Sequence, residues 1–208
     1  MEENIFMVCK RLNPQAFSNL PPGFAARTLR REELRAWQAM PFDDEGTAQE
    51  YLGFMNDYFR ITYARDEEKF FSSTIVIGDA HDQMVATCLL WQAYGLYTTV
   101  HWFKVLKAYE NRGIGRALLS LLFKEVTDAD MPIYLHTQPS SFRAIKLYSD
   151  FGFELLTDKR IGQRDNHIEQ CLPFLQAQMP KQDYDQLRFT TAPAAFVAGM
   201  ALQLDDQF

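Results

Sequence analysis

The chain has 208 residues, and 47% are hydrophobic, which suits a single domain with a substantial core. A net charge of -6 without any Lys/Arg-rich run argues against a nucleic-acid partner, and three scattered cysteines with no CxxC pair suggest neither a metal site nor a disulfide framework. No apolar run approaches the roughly 18 residues of a membrane span, and the acidic start is unlike a signal peptide, so a cytoplasmic protein with no membrane partner is expected.

The first twenty residues carry weak signals and end at Pro21-Pro22-Gly23. Phe24 to Leu29 reads as a short strand, and Arg30 to Met40 as a helix stopped by Pro41. Thr47-Ala48-Gln49-Glu50 has the form of a capping box. Behind it Tyr51, Phe54, Met55, Tyr58 and Phe59 share one face of an amphipathic helix. Core packing accounts for that face; a second reading makes Tyr58 and Phe59 one wall of a substrate pocket. Ser73 to Asp79, Met84 to Ala93 and Tyr97 to Lys107 read as strands, joined by short connections that imply antiparallel pairing.

Further on, Ala117 to Val126 describes an amphipathic helix and Pro132 to Thr137 a short strand. Ser141 to Phe151 reads as a helix ended by Gly152, and Phe153 to Asp158 as another strand. This order predicts a mixed α/β domain, a parallel element beside an antiparallel meander, over residues 1–160. Residues 161–208 read as a C-terminal helical extension packed on it, with helices over Leu172 to Met179, Gln182 to Phe189 and Ala192 to Leu202.

Chemistry concentrates between the long strand and the helix that follows it. In Val105-Leu106-Lys107-Ala108-Tyr109-Glu110-Asn111-Arg112-Gly113-Ile114-Gly115-Arg116-Ala117 the two glycines let the backbone approach a ligand closely. The helix start offers free N–H groups and a positive dipole end, a site suited to a diphosphate. Arg112 and Arg116 could add charged contacts. The Rossmann and Walker patterns both fail here, because Leu118 stands where the third glycine would be and no G-K-[ST] follows.

The segment resembles motif A of the GCN5-related N-acetyltransferases (the GNAT superfamily), with Val105, Tyr109, Gly113 and Gly115 in matching places. Glu110 departs from it, standing where the family usually has Arg or Gln. Ala144-Ile145-Lys146-Leu147-Tyr148-Ser149-Asp150-Phe151-Gly152-Phe153 resembles motif B of the same family, and Phe24 to Leu34 its first strand and helix. The resemblance covers residues 24–160 and implies a mixed, splayed β-sheet flanked by helices, with acetyl-CoA (coenzyme A) as cofactor and direct acyl transfer to an amine.

By position, the resemblance implies that the backbone of Phe103, Lys104 and Val105 pairs with the pantetheine arm. Asn111, Arg112, Gly113, Ile114, Gly115 and Arg116 would hold the pyrophosphate, and Ser141 and Arg143 would meet the cofactor from the other side. Tyr148 matches the tyrosine that protonates the departing thiolate. A lysine-like amine costs about 4–5 kcal/mol to deprotonate at pH 7, so a base helps. Period two puts Thr99, His101, Phe103 and Val105 on one face, which makes His101 a candidate base; a structural, hydrogen-bonded histidine is the other reading. Trp91 and Gln138 are candidates for the acceptor pocket with Tyr58 and Phe59, while His136 reads as core or as a relay. A small-molecule amine is the expected acceptor, a peptide or protein amine the alternative, and a homodimer is compatible with the family. A non-catalytic coenzyme A-binding module on the same fold is the competing function.

Overall fold

The computed structural model describes residues 3–203, 207 and 208. Its strands are β1 (Ile5–Cys9), β2 (Ala25–Thr28), β3 (Ile75–Gly78), β4 (Met84–Ala93), β5 (Tyr97–Val105), β6 (Ile133–Thr137), β7 (Phe153–Leu156), β8 (Arg160–Ile161), β9 (Arg164–Asp165) and β10 (Phe189–Thr190). The helices are α1 (Leu34–Ala39), α2 (Glu45–Glu50), α3 (Leu52–Thr62), α4 (Glu67–Ser73), α5 (Ile114–Phe123), α6 (Phe142–Asp150), α7 (Ile168–Gln178), α8 (Lys181–Tyr184) and α9 (Ala194–Met200). Eight strands form one mixed sheet in the order β10-β7-β1-β6-β5-β4-β3-β2, and β8–β9 is a separate hairpin. The expected mixed α/β fold, a central sheet flanked by helices, is what the chain adopts. Among the described residues no helix is long and apolar enough to cross a membrane.

The sheet divides the core in two. On one face α5, α6 and α7 pack Ile114, Leu118, Ile145, Tyr148 and Leu175 against β1, β6 and β7. The opposite face is shared. There α1, α3 and α4 cover β3 and β4 with Trp37, Met55, Tyr63 and Phe70. Across β1 and β6, Phe196 and Met200 of α9 join Phe208 over Phe6 and Tyr134.

Several local readings are corrected. The weak first twenty residues contain β1, five consecutive apolar residues, all buried, paired with both β6 and β7. A strand covered on both faces needs no polar alternation, so it lacked the usual signature. Asp44, not Thr47, caps α2, accepting the Thr47 N–H at 2.9 Å. The run before β3 is helical through Ser73. The amphipathic face splits: Met55 is buried while Tyr51 and Phe54 are exposed. In the C-terminal segment α7 begins at Ile168 with Pro173 inside it. The stretch 182–189 is not one helix: α8 is a single turn, and Phe189–Thr190 pairs parallel with β7 as the sheet's edge.

Candidate active site

The functional geometry begins where β5 and β6 part. They run parallel but pair only at Thr98–Ile133 and Thr99–Tyr134. Beyond that, β5 continues to Val105 hydrogen-bonded to β4 alone, and β6 continues to Thr137 beside β1 alone. One edge of each backbone is left facing an open seam, with amide donors and carbonyl acceptors available to an extended, amide-bearing ligand.

A bulge in β5 sets which side chains face which way. Opposite Thr87 to Leu89 of β4, β5 carries an extra residue, and Trp102 sits at φ 52°. An added residue reverses the alternation of every side chain beyond it. Phe103 and Val105 therefore point to the α5–α6 face, whereas Thr99, His101 and Trp102 point to the other. This overturns the expectation that Thr99, His101, Phe103 and Val105 share a face.

On the α5–α6 face the motif residues converge. Gly113 is the N-cap of α5 at φ 80°, a conformation that penalises any β-carbon. The N–H groups of Ile114, Gly115 and Arg116, in the first turn of α5, have no acceptor within the helix. A methyl group at Gly115 would stand 3.2 Å from Phe103 and 3.3 Å from Leu147, so the glycine lets α5, β5 and α6 meet. Tyr109 anchors the loop by donating its hydroxyl to Asp79 at 2.9 Å, and Arg112 lies over the Tyr109 ring at 5.0 Å. Tyr148, on α6, stacks obliquely on Phe103 with ring centroids 5.6 Å apart. It is 5% exposed, and burial raises its pKa well above the ordinary phenol value. Among the described residues its hydroxyl makes no hydrogen bond.

Not every expected cofactor contact is placed toward this loop. The Arg116 side chain turns back to the Ala16 carbonyl (3.3 Å) and to Asp150, so only its backbone belongs to the anion site. Ile114 buries its side chain in the core, leaving its N–H. Lys104 reaches Asp43 at 2.7 Å on the opposite face. Arg143 pairs with Glu110 at 2.9 Å, which brings the N-terminal turn of α6 against the glycine loop. Ser141 lies immediately before that turn.

His101 lies across the sheet from Tyr148 and is 6% exposed. Both ring nitrogens are engaged in a directed chain. Trp102 Nε1 donates to the Tyr63 hydroxyl at 3.0 Å, which donates to His101 Nδ1 at 2.6 Å. His101 Nε2 then donates to Thr99 Oγ1 at 2.8 Å, and Thr99 to the Trp91 carbonyl at 3.0 Å. Burial, with a smaller push from the Arg164 charge, takes the His101 pKa down to about 3. A neutral imidazole with both nitrogens occupied is a strut, not a poised base. The Tyr63 partner was legible as the next member, four residues on, of the helical series ending at Phe59; the bulge that turns Trp102 toward it had no signal.

Around this chain pack the aromatic side chains of α3 and β4. Tyr58 meets Trp102 edge-on at 5.2 Å, Phe59 packs on Phe70 and Tyr63, and Trp91 stands perpendicular to Tyr63 at 4.9 Å. Trp91 is buried within the cluster, while Tyr58 and Phe59 are part-exposed. Gln138 is placed apart from them, at the end of β6, lining a small hollow with Cys171 and Phe174 of α7.

The sequence profile described as the Acetyltransferase (GNAT) family matches residues 29–153. No curated protein matches. Among solved structures, a GCN5-related N-acetyltransferase-like protein from Streptococcus suis aligns at 15% identity and TM-score 0.51, over 74% of this chain and 58% of that one. A GNAT-family acetyltransferase from Colwellia psychrerythraea aligns at 16% identity and TM-score 0.50, over 74% and 53%. A tandem GNAT protein from the clavulanic acid biosynthesis pathway aligns at 12% identity and TM-score 0.54, over 74% and 50%. The aligned region spans about half the length of these proteins, and at such identities the likeness is one of fold.

Proposed function

The chain belongs to the GNAT acetyltransferase family, and from that premise we propose that it transfers an acetyl group from acetyl-CoA to a primary amine of a small molecule. The observation that carries this reading is the convergence of three features: free N–H groups at the start of α5, the open β5–β6 seam, and the unbonded Tyr148 hydroxyl. The residues fit the cofactor, since Gly113 and Gly115 leave the loop without β-carbons at a positive helix end.

Acetyl-CoA, when bound, supplies an acetyl thioester activated for attack by nitrogen. The backbone N–H groups from Gly113 to Arg116 would hold its diphosphate, with Arg112 adding charge. The free backbone edge of Phe103 to Val105 would accept and donate to its amide-bearing arm. The Phe103 ring would keep water from the reacting end. Tyr148 stays protonated at all working pH values because burial opposes the phenolate, so it holds a proton to give to sulfur. His101 has no base role in this scheme, and the acceptor reaches the site already neutral or loses its proton to water.

That missing base favours one competing reading, a coenzyme A-binding module without turnover. Calorimetry with acetyl-CoA and an amine screen that detects released thiol separate the two. Saturable binding with thiol release for some amine is the expected result; binding without release across the screen supports the module, and no binding removes both.

A further inference from the structure

The face of the seam away from Tyr148 is crossed by Gln207 and Phe208. On the Tyr148 side α5 and α6 cover the sheet, and a cofactor held at the start of α5 would enter from there. An acceptor nitrogen therefore has to reach the thioester from the other face, the one that carries Thr99, His101 and Trp102.

Gln207 is held from two elements. Its carbonyl accepts the Tyr58 hydroxyl of α3 at 3.4 Å. Its side-chain oxygen accepts the Tyr94 N–H at 2.9 Å, and its own N–H donates to the Tyr94 hydroxyl at 3.1 Å, in the turn between β4 and β5. Tyr58 in turn stands edge-on to Trp102 of β5 at 5.2 Å, with its ring 6.4 Å from that of His101. Phe208 is pegged on the opposite margin, its ring 5.7 Å from Phe6 of β1 and 6.3 Å from Tyr134 of β6. Thr99–Tyr134 is the last pair before β5 and β6 part. One residue is thus tied to the β5 side and the next to the β6 side, at the root of the seam. The crossing leaves little width: Thr99 is 0% exposed, Tyr134 2%, His101 6% and Phe208 7%. Close-packed rings do not yield by fractions of a side chain, so a slim chain can pass where a flat ring cannot.

We infer that Gln207 and Phe208 set the width of the acceptor entrance, so that the acceptor is a primary amine on an unbranched aliphatic chain and arylalkylamines are excluded. This inference deepens the transferase reading and rests on it. It assigns specificity to two residues far in sequence from both motifs.

The test compares n-butylamine with 2-phenylethylamine and tryptamine. Thiol release from acetyl-CoA gives kcat and KM, and calorimetry on the coenzyme A-loaded protein reports binding without chemistry. In the wild type kcat/KM for n-butylamine should exceed that for either arylalkylamine by about tenfold or more. Phe208→Ala takes away the peg and opens room the size of a ring. The ratio should then move toward the arylalkylamines by about tenfold or more, carried by KM. Gln207→Ala loses the bond to the Tyr94 N–H but keeps the ring, and should move the ratio the same way by about threefold. Phe208→Leu, which refills most of the space, should restore the wild-type order. A wild type that uses arylalkylamines as well as n-butylamine overturns the inference, and so does a ratio unchanged in both alanine variants while they still bind acetyl-CoA. If Phe208→Ala does not fold, Gln207→Ala decides alone. If no amine is turned over but 2-phenylethylamine binds Phe208→Ala and not the wild type, the transferase reading fails while the narrow entrance stands. No turnover and no difference in binding overturns the entrance itself.

Discussion

The two faces of the seam are built on different principles. The Tyr148 face is assembled from near-continuous sequence, with β5, the glycine loop, α5 and α6 all falling within residues 97–150. The His101 face draws on Asn4, α3, the β8–β9 hairpin and the tail at Gln207 and Phe208, which meet only in the fold. Local spacing encodes the first face because its motif residues, Phe103 to Val105, Gly113 to Arg116 and Tyr148, all fall on that one stretch of chain. The second depends on long-range packing, and one inserted residue in β5 decides which side chains belong to it.

The largest effect should come from the first face. Tyr148→Phe removes the proton donor and keeps the ring against Phe103. Turnover should fall about 10²- to 10³-fold, as expected for lost general acid catalysis, with the acetyl-CoA Kd within about twofold. Steady-state kinetics beside calorimetry decide it; unchanged kcat would move the proton source elsewhere and leave Tyr148 as packing.

Next comes the loop. Gly113→Val puts a β-branched residue at φ 80°, where the neighbouring Pro21 leaves room but the backbone does not. A cost of about 1–3 kcal/mol in stability is expected, together with about tenfold weaker acetyl-CoA binding as the N–H groups turn. Retained affinity with the full loss of stability would show that the diphosphate is held by side chains.

A comparable but purely conformational effect tests the second face. His101 folds with its pKa at about 3, below its ordinary 6.5. Between those values the unfolded chain binds the proton that the folded one refuses, so stability is intact above 6.5 and is lost as pH falls toward 3. At pH 5 the loss from this residue is about 2 kcal/mol. His101→Gln, measured by urea unfolding, should be less stable than wild type at pH 7 but flatter between pH 7 and 5. Parallel pH profiles would mean that His101 keeps its proton in the fold, with both ring nitrogens donating, to Tyr63 and to Thr99.

What could be read from the residues follows the same division. The two glycines, Tyr148 and the strands β4 and β5 were legible because each is a local pattern. β1 was missed because a strand buried on both sides shows no alternation, and β10 because two residues make no pattern at all. The directions of the Lys104, Arg116 and His101 side chains were not legible, for one reason. Period two places a side chain on a face only while the strand stays regular, and proximity in sequence to a ligand loop does not say where a long arginine or lysine chain will end.

The smallest effect concerns Glu110, the residue that departs from the family pattern and the one that joins loop to helix through Arg143 at 2.9 Å. The Arg143 side chain is two-thirds exposed, so the pair should contribute at most about 1 kcal/mol to stability. If the backbone N–H groups hold the diphosphate, Glu110→Gln frees Arg143 and removes a like charge from the phosphates. Acetyl-CoA should then bind equally or up to about threefold more tightly, a gain that shrinks as salt rises. Arg143→Gln should lose a similar small factor. A tenfold loss in Glu110→Gln would reverse the assignment, because the ion pair would then be what shapes the loop, and the nearer face would depend on a contact between α6 and the loop that its motifs do not encode.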